Sequence, residues 1–243
     1  MDVAPEIYEK IKEDFRKGVT EDKELNRLAQ KIANNKGTQS DVAELAQRFG
    51  VNSSNALKKN LILADLPDQK LYWNIAEKTI RPLLLDCYTN INEFAGIEQA
   101  TEDKAINISV KILAGGAPEN RIDQVMNFAV DSATQPELDN ALTDPVIAAN
   151  RKFYDDFQKE NAKLRALLGF KEVITREYDD VGLHNRTIDC EWCLQRAGTW
   201  DYDEARDNGV FQRHAGCKCL IEHHTEKGTN RQTDWTTNTW EMQ

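Results

Sequence analysis

The sequence predicts a mainly α protein closed by a small β-rich C-terminal module, α+β overall. Three observations carry that prediction. Apolar residues recur at helical spacing through the first two thirds of the chain, β-branched and turn-forming residues take over after Gly169, and four of the five cysteines crowd between positions 190 and 219. The change of texture puts a boundary near Phe170, with a helical domain over 1–169 and a β-rich module over 170–243.

Taken in order, Ile7, Ile11 and Phe15, then Leu25, Leu28 and Ile32, make two helical stripes between Pro5 and Asn34, and Gly18 with Thr20 is expected to break the run. Thr38 and Ser40 offer N-caps to a short third helix with Val42, Leu45, Ala46 and Phe49 on one face; Gly50 sits where a terminating αL residue belongs. The segment DQKLYWNIAEKTI after Pro67 is again helical, but Pro82 lacks the amide proton a helix interior needs, so a break or kink is expected before Leu83. Pro118 opens a helix whose stripe is Ile122, Val125, Met126 and Ala129. The clearest helix runs from Asp144 to about Leu168. Asp144 caps it, Pro145 takes its first position, Gly169 follows its end, and Val146, Phe153, Phe157, Leu164 and Leu168 fall at packing-seam spacing. Such a seam packs inside its own bundle, with self-association through the 144–168 helix as the alternative. KEVITREY, from Lys171, then reads as a strand.

Composition narrows the function classes. A chain of 243 residues, 40% hydrophobic and 30% charged, fits a soluble globular protein, and its longest apolar runs, such as Leu61 to Ala64, are far shorter than the roughly 20 residues of a membrane span. The start, MDVAPEIYEKIKEDF, lacks the basic and apolar regions of a secretion signal, so a reducing compartment is expected and disulfides are the less favoured use of the cysteines. A net charge of −10 does not favour nucleic-acid binding, and the region after Phe170 is itself acidic, with 9 Lys/Arg against 14 Asp/Glu.

Cys190 and Cys193 form a C-x-x-C, which lets one tight turn aim both sulfurs at one point. His214 and Cys217, three apart, do likewise, and Cys219 follows two residues later. Thiolates from one turn with an imidazole and a thiolate from another satisfy a tetrahedral zinc ion. Five donors, Cys190, Cys193, His214, Cys217 and Cys219, compete for four places, and spacing does not choose between Cys217 and Cys219. A redox C-x-x-C would leave the second group idle. Enough strong ligands are present to close the shell, whereas a catalytic zinc keeps a place for water, so one structural zinc per chain and no catalytic residue are expected. Such an ion supplies binding energy on the order of 10 kcal/mol to a module with few large aliphatic residues. Cys87, remote in sequence, is expected to be a small buried apolar residue.

These residues resemble the phage Mu F-like minor head proteins of tailed bacteriophages, in which a helical region precedes a C-x-x-C, a glycine turn and an H-P-x-C-R-C ending. Cys190 and Cys193 resemble the first pair; Gly198, Thr199 and Trp200 the glycine turn; His214, Cys217, Lys218 and Cys219 the ending; and Arg186 to Asp189 the approach strand. Ala215 replaces the usual proline and Lys218 the usual arginine. The similarity extends from about Thr101 to His223. It implies a minor structural protein of the virion, associated with portal or head proteins of the capsid, of the kind packaged and lost with the genome at ejection, and made in the host cytoplasm.

Other features read more plainly. Asp201, Asp203, Glu204 and Asp207 lack the glycine and terminal glutamate of a calcium loop and are expected in a solvated loop. His223 and His224 are expected at the surface. Trp235 and Trp240 in the tail suggest an anchor on another surface. Two rival functions remain: a zinc-stapled His-Asn-His-type nuclease or delivered toxin, using His184 with Asn185 or His223 with His224, and a zinc adaptor that binds another protein.

Overall fold

A computed structural model describes residues 3–116, 118–178, 190–214, 217 and 219–226. It is mostly helical, with one small antiparallel sheet near the C-terminus, as the sequence predicts. The described chain divides into two compact units, 1–98 with 116–154 and 99–115 with 155–243. The second is larger than a module beginning at Phe170, because it takes in helical residues before that point, 99–105 and 155–167.

The first unit opens with α1 (Ala4–Glu21) and α2 (Lys23–Ala33). They part at Asp22, not at Gly18 or Thr20, which lie inside α1. Asp22 adopts an extended conformation, accepts from the Leu25 amide at 2.9 Å and takes a hydrogen bond from Arg48 at 3.0 Å, so one carboxylate caps the new helix and ties it to the next. Thr38 caps α3 (Gln39–Asn60) in a reciprocal capping box with Asp41. Here the expected stop at Gly50 is overturned: α3 runs ten residues beyond it. A Cβ at Gly50 would meet the Ile147 Cα at 2.8 Å, so glycine serves close helix packing.

Two 3-10 turns, Leu63–Asp65 and Pro67–Gln69, precede α4 (Trp73–Ala105). The helix after Pro67 therefore starts later than expected, since Asp68 and Gln69 take positive φ. It also continues through Pro82 without the predicted break. Ile80, Leu83 and Leu84 around the proline are all buried, and burial of each stabilises by about 1.5–3 kcal/mol, enough together to offset a proline cost of roughly 3 kcal/mol. Next come α5 (Glu119–Val130), which buries the four expected residues, α6 (Gln135–Ala141) and α7 (Asp144–Leu167). Along α7, Val146, Phe153 and Phe157 are buried, but Leu164 is only half-buried and Leu168 is exposed beside Leu167. The inward positions of the last turns belong to Asn161, Ala162 and Arg165. Gly169, at φ 89°, ends the helix, with the Phe170 amide reaching back to the Arg165 carbonyl at 3.1 Å.

In the second unit β1 (Lys171–Glu177) forms where KEVITREY predicts it. The short α8 (Glu191–Leu194), β2 (Gly198–Asp201), α9 (Tyr202–Asp207) and β3 (Leu220–Glu226) follow. The strand order is β2-β1-β3, all antiparallel, with Ile174 opposite both Trp200 and His223. Alternation sends Glu172, Ile174 and Arg176 of β1 and Ile221 and His223 of β3 to the buried face. Its apolar part is small: Ala162, Ile174, Tyr202, Ala205, Val210, Phe211 and Ile221. Buried polar groups fill the rest. Arg165 donates to both oxygens of Asp103 at 2.9 and 2.7 Å, and Asn161 exchanges two hydrogen bonds with the backbone of Leu113 at 2.8 and 2.9 Å.

Asp201 ends a strand and Asp203, Glu204 and Asp207 lie on α9, not in a loop, although all four are exposed as expected. No helix among the described residues is long and apolar enough to cross a membrane. Trp235 and Trp240 lie outside the described residues.

Candidate metal centre

The five sequence-predicted donors come together. Cys190, Cys193 and His214 form one group and Cys193, Cys217 and Cys219 a second, the donor atoms of each lying within 4.8 Å of one another. Cys193 belongs to both. The first turn is built by Cys190 itself: it N-caps α8, and its sulfur accepts from the Cys193 amide at 3.4 Å, so the C-x-x-C spacing becomes one helical turn with both sulfurs on one side. The Tyr178 hydroxyl accepts from the Cys190 amide at 3.0 Å and fixes the start of that turn. Cys217 and Cys219 arrive on the approach to β3, both buried.

Sulfurs bound to one tetrahedral zinc at 2.3 Å stand about 3.8 Å apart. The Cys193 and Cys217 sulfurs are 3.8 Å apart. The His214 Nε2 lies 3.1 Å from the Cys190 sulfur and 3.0 Å from the Cys193 sulfur, tighter than the roughly 3.5 Å of a bound pair. The imidazole is the exposed member of the set, held edge-on to Trp192 with ring centroids 5.6 Å apart. The donor atoms of these groups lie close enough to hold a metal ion.

Two arginines that the sequence did not single out border the sulfurs. Arg176 donates to Cys217 at 3.4 Å and to Cys193 at 3.7 Å. Arg213 donates to the Cys217 sulfur at 3.7 Å and to the Cys219 carbonyl at 2.6 Å, while its other nitrogens pair with Asp155 of α7. A signal for Arg176 is present in the sequence: it occupies an inward position of an alternating strand, where a charge needs a reason. Nothing local marks Arg213, whose partner lies 58 residues away. Burial pushes the Cys193 thiol up to about 11, and the contact with Cys219 followed by burial pushes Cys217 up to about 12. Strong cation binding is what draws such buried thiols into the thiolate form.

Comparisons with family models, curated proteins and solved structures match nothing.

The remaining candidates among the described residues do not converge on this cluster. His223, expected at the surface, is buried, because alternation in β3 points it inward; it shares a hydrogen bond with Gln158, and burial lowers it to about 3. Its Nε2 stands 3.9 Å from Glu172, whose carboxyl burial raises to about 7 against the hydrogen bond from Thr225. His224 faces the opposite side of the sheet and pairs loosely with Glu222 at 3.9 Å. Two neighbours on one strand cannot act on one point. His184 and Asn185 lie outside the described residues. Cys87 is buried in α4 against Ser53 at 3.1 Å, with its thiol pushed up to about 12.

Proposed function

We propose that the cluster holds one structural zinc ion and that this chain is a minor structural protein of a tailed-phage head. The observation that carries the metal reading is the convergence of two short turns, from Cys190 to Cys193 and from His214 to Cys219, on one cluster of five donors. When bound, zinc would supply cross-linking of those turns. Cys190 and Cys193 would hold it from α8, and His214 with the cysteines before β3 from the second segment. Five strong donors leave no place that water must fill, which supports a staple over a catalyst.

The virion reading rests on the similarity of the C-x-x-C, glycine-turn and H-x-x-C-x-C order to the minor head proteins, and it accords with an acidic surface that needs no nucleic-acid groove. The test has two arms. Protein made in zinc-supplemented medium should carry about one zinc per chain and show no metal-dependent plasmid nicking. Expressed beside the portal and head proteins of its genomic neighbourhood, it should co-purify with one of them. Zinc-free protein would overturn the first arm; nicking lost in a histidine variant that keeps its zinc would replace the structural role with a nuclease.

A further inference from the structure

Among the described residues of the second unit three guanidinium groups are buried, and two of them have a carboxylate. Arg165, with its side chain 0% exposed, pairs with Asp103, and Arg213, 5% exposed, pairs with Asp155. Arg176 is 1% exposed, and among the described residues no carboxylate lies within ion-pair distance of it. Its Nη1 donates to the carbonyls of Val210 and Gln212, both at 2.6 Å, and its Nη2 to the sulfurs of Cys217 and Cys193. The Trp192 ring lies 5.2 Å away. A cation taken out of water needs an anion or it destabilises the fold. Among the described residues around Arg176, only the two sulfurs can carry a full negative charge.

Resting on the reading that the cluster holds a metal, we propose that Arg176 is the counter-cation of a thiolate-rich centre and commits Cys193 and Cys217 to the ligand set. Charge counting then selects among the five donors. Asp155 already balances Arg213, so Arg176 leaves one positive charge to be met. A divalent ion with three thiolates and one neutral imidazole carries a net charge of −1, which closes the balance; four thiolates would leave −2. The set is therefore His214 with three thiolates, Cys193 and Cys217 among them, and Cys190 takes the last place because its sulfur lies 3.1 Å from the His214 Nε2 that must bind beside it. Cys219 stays outside it, with its carbonyl held by Arg213.

Arg176 acts on the metal through the sulfurs, so it is a positioning residue, and its test must separate charge from bracing of the Val210 and Gln212 carbonyls. The full chain is refolded with cobalt(II), whose sulfur-to-metal charge-transfer band grows with each thiolate bound. Parent and Cys219→Ser should show the same three-thiolate intensity, and Cys217→Ser about two thirds of it. Arg176→Met should weaken cobalt binding roughly 10–100-fold, the usual effect of losing an outer partner, and Arg176→Lys should recover part of that. In a Cys217→His background the centre is neutral, and the Arg176→Met loss should shrink below about threefold. If Cys217→His does not take up cobalt, Cys190→His gives the same neutral centre. An equal loss in both backgrounds, or intensity lost in Cys219→Ser but kept in Cys217→Ser, overturns the proposal. A parent with no charge-transfer band overturns the metal reading itself, whereas a normal band with Arg176→Met unaffected overturns only the role of Arg176.

Discussion

Along α7 the buried positions change character. Up to Tyr154 they are mostly apolar, Val146, Ile147, Ala149 and Phe153 beside Asn150 and Arg151; beyond it they include Asp155, Gln158, Asn161 and Arg165. The first unit closes on an aliphatic and aromatic core. In the second, charges and amides find partners on other segments, and the sulfur cluster sits beyond them. An apolar face stabilises whatever apolar surface covers it, because burial is non-directional. A buried charge stabilises nothing until its partner arrives in the right geometry. The second unit therefore depends on a few specific contacts, and the two units should respond differently to the same kind of insult.

The largest difference should appear on removing metal. A chelator should abolish amide-exchange protection in 99–115 and 155–226 while α3 and the start of α4 stay protected, since a binding energy on the order of 10 kcal/mol is also folding energy for the second unit alone. Loss of protection everywhere at once would erase the distinction between the units.

Next come single deletions on either side of Tyr154. Asp155→Ala leaves the Arg213 guanidinium buried without its carboxylate and should cost about 3–5 kcal/mol in urea titration. Phe153→Ala should cost a similar 3–5 kcal/mol through its cavity, as an order of magnitude. Metal affinity tells them apart: it should fall in Asp155→Ala, because Arg213 also donates to the sulfur of Cys217, and stay at the parent value in Phe153→Ala.

A smaller effect concerns pH. Glu172 has its folded pKa raised to about 7, so it contributes stability below its unfolded pKa near 4.5 that is lost as pH rises towards 7. His223, lowered to about 3, has the opposite sense: stability is lost as pH falls below 6.5. Between pH 5 and 8, Glu172→Gln should therefore gain about 2–3 kcal/mol on the parent, at roughly 1.4 kcal/mol for each tenfold fall in proton concentration up to the folded pKa. A constant difference across that range would show that Glu172 titrates normally.

The smallest change tests the apolar side. Gly50→Ala places a methyl 2.8 Å from the Ile147 Cα, and overpacking of about 1–3 kcal/mol, less the roughly 1 kcal/mol that Ala gains over Gly in a helix, should leave a net loss of about 0–2 kcal/mol with metal affinity unchanged.

The sequence by itself determined what depends on near neighbours. The stripe of α5, the Thr38 cap, the Gly169 stop, the strand at KEVITREY and the two donor turns all follow from periods and spacings within a few residues. Tertiary structure decided the rest. It carried α3 past Gly50 because close packing against Ile147 needs a residue without Cβ, and it carried α4 through Pro82 because buried leucines offset one missing hydrogen bond. It also chose the neighbours of the sulfurs. Arg176 reaches them across 17 and 41 residues, Arg213 across 4 and 6, and Asp155 joins across 58. No periodicity reports such contacts, because an ionic partner is selected by distance in the folded chain and not by distance along it.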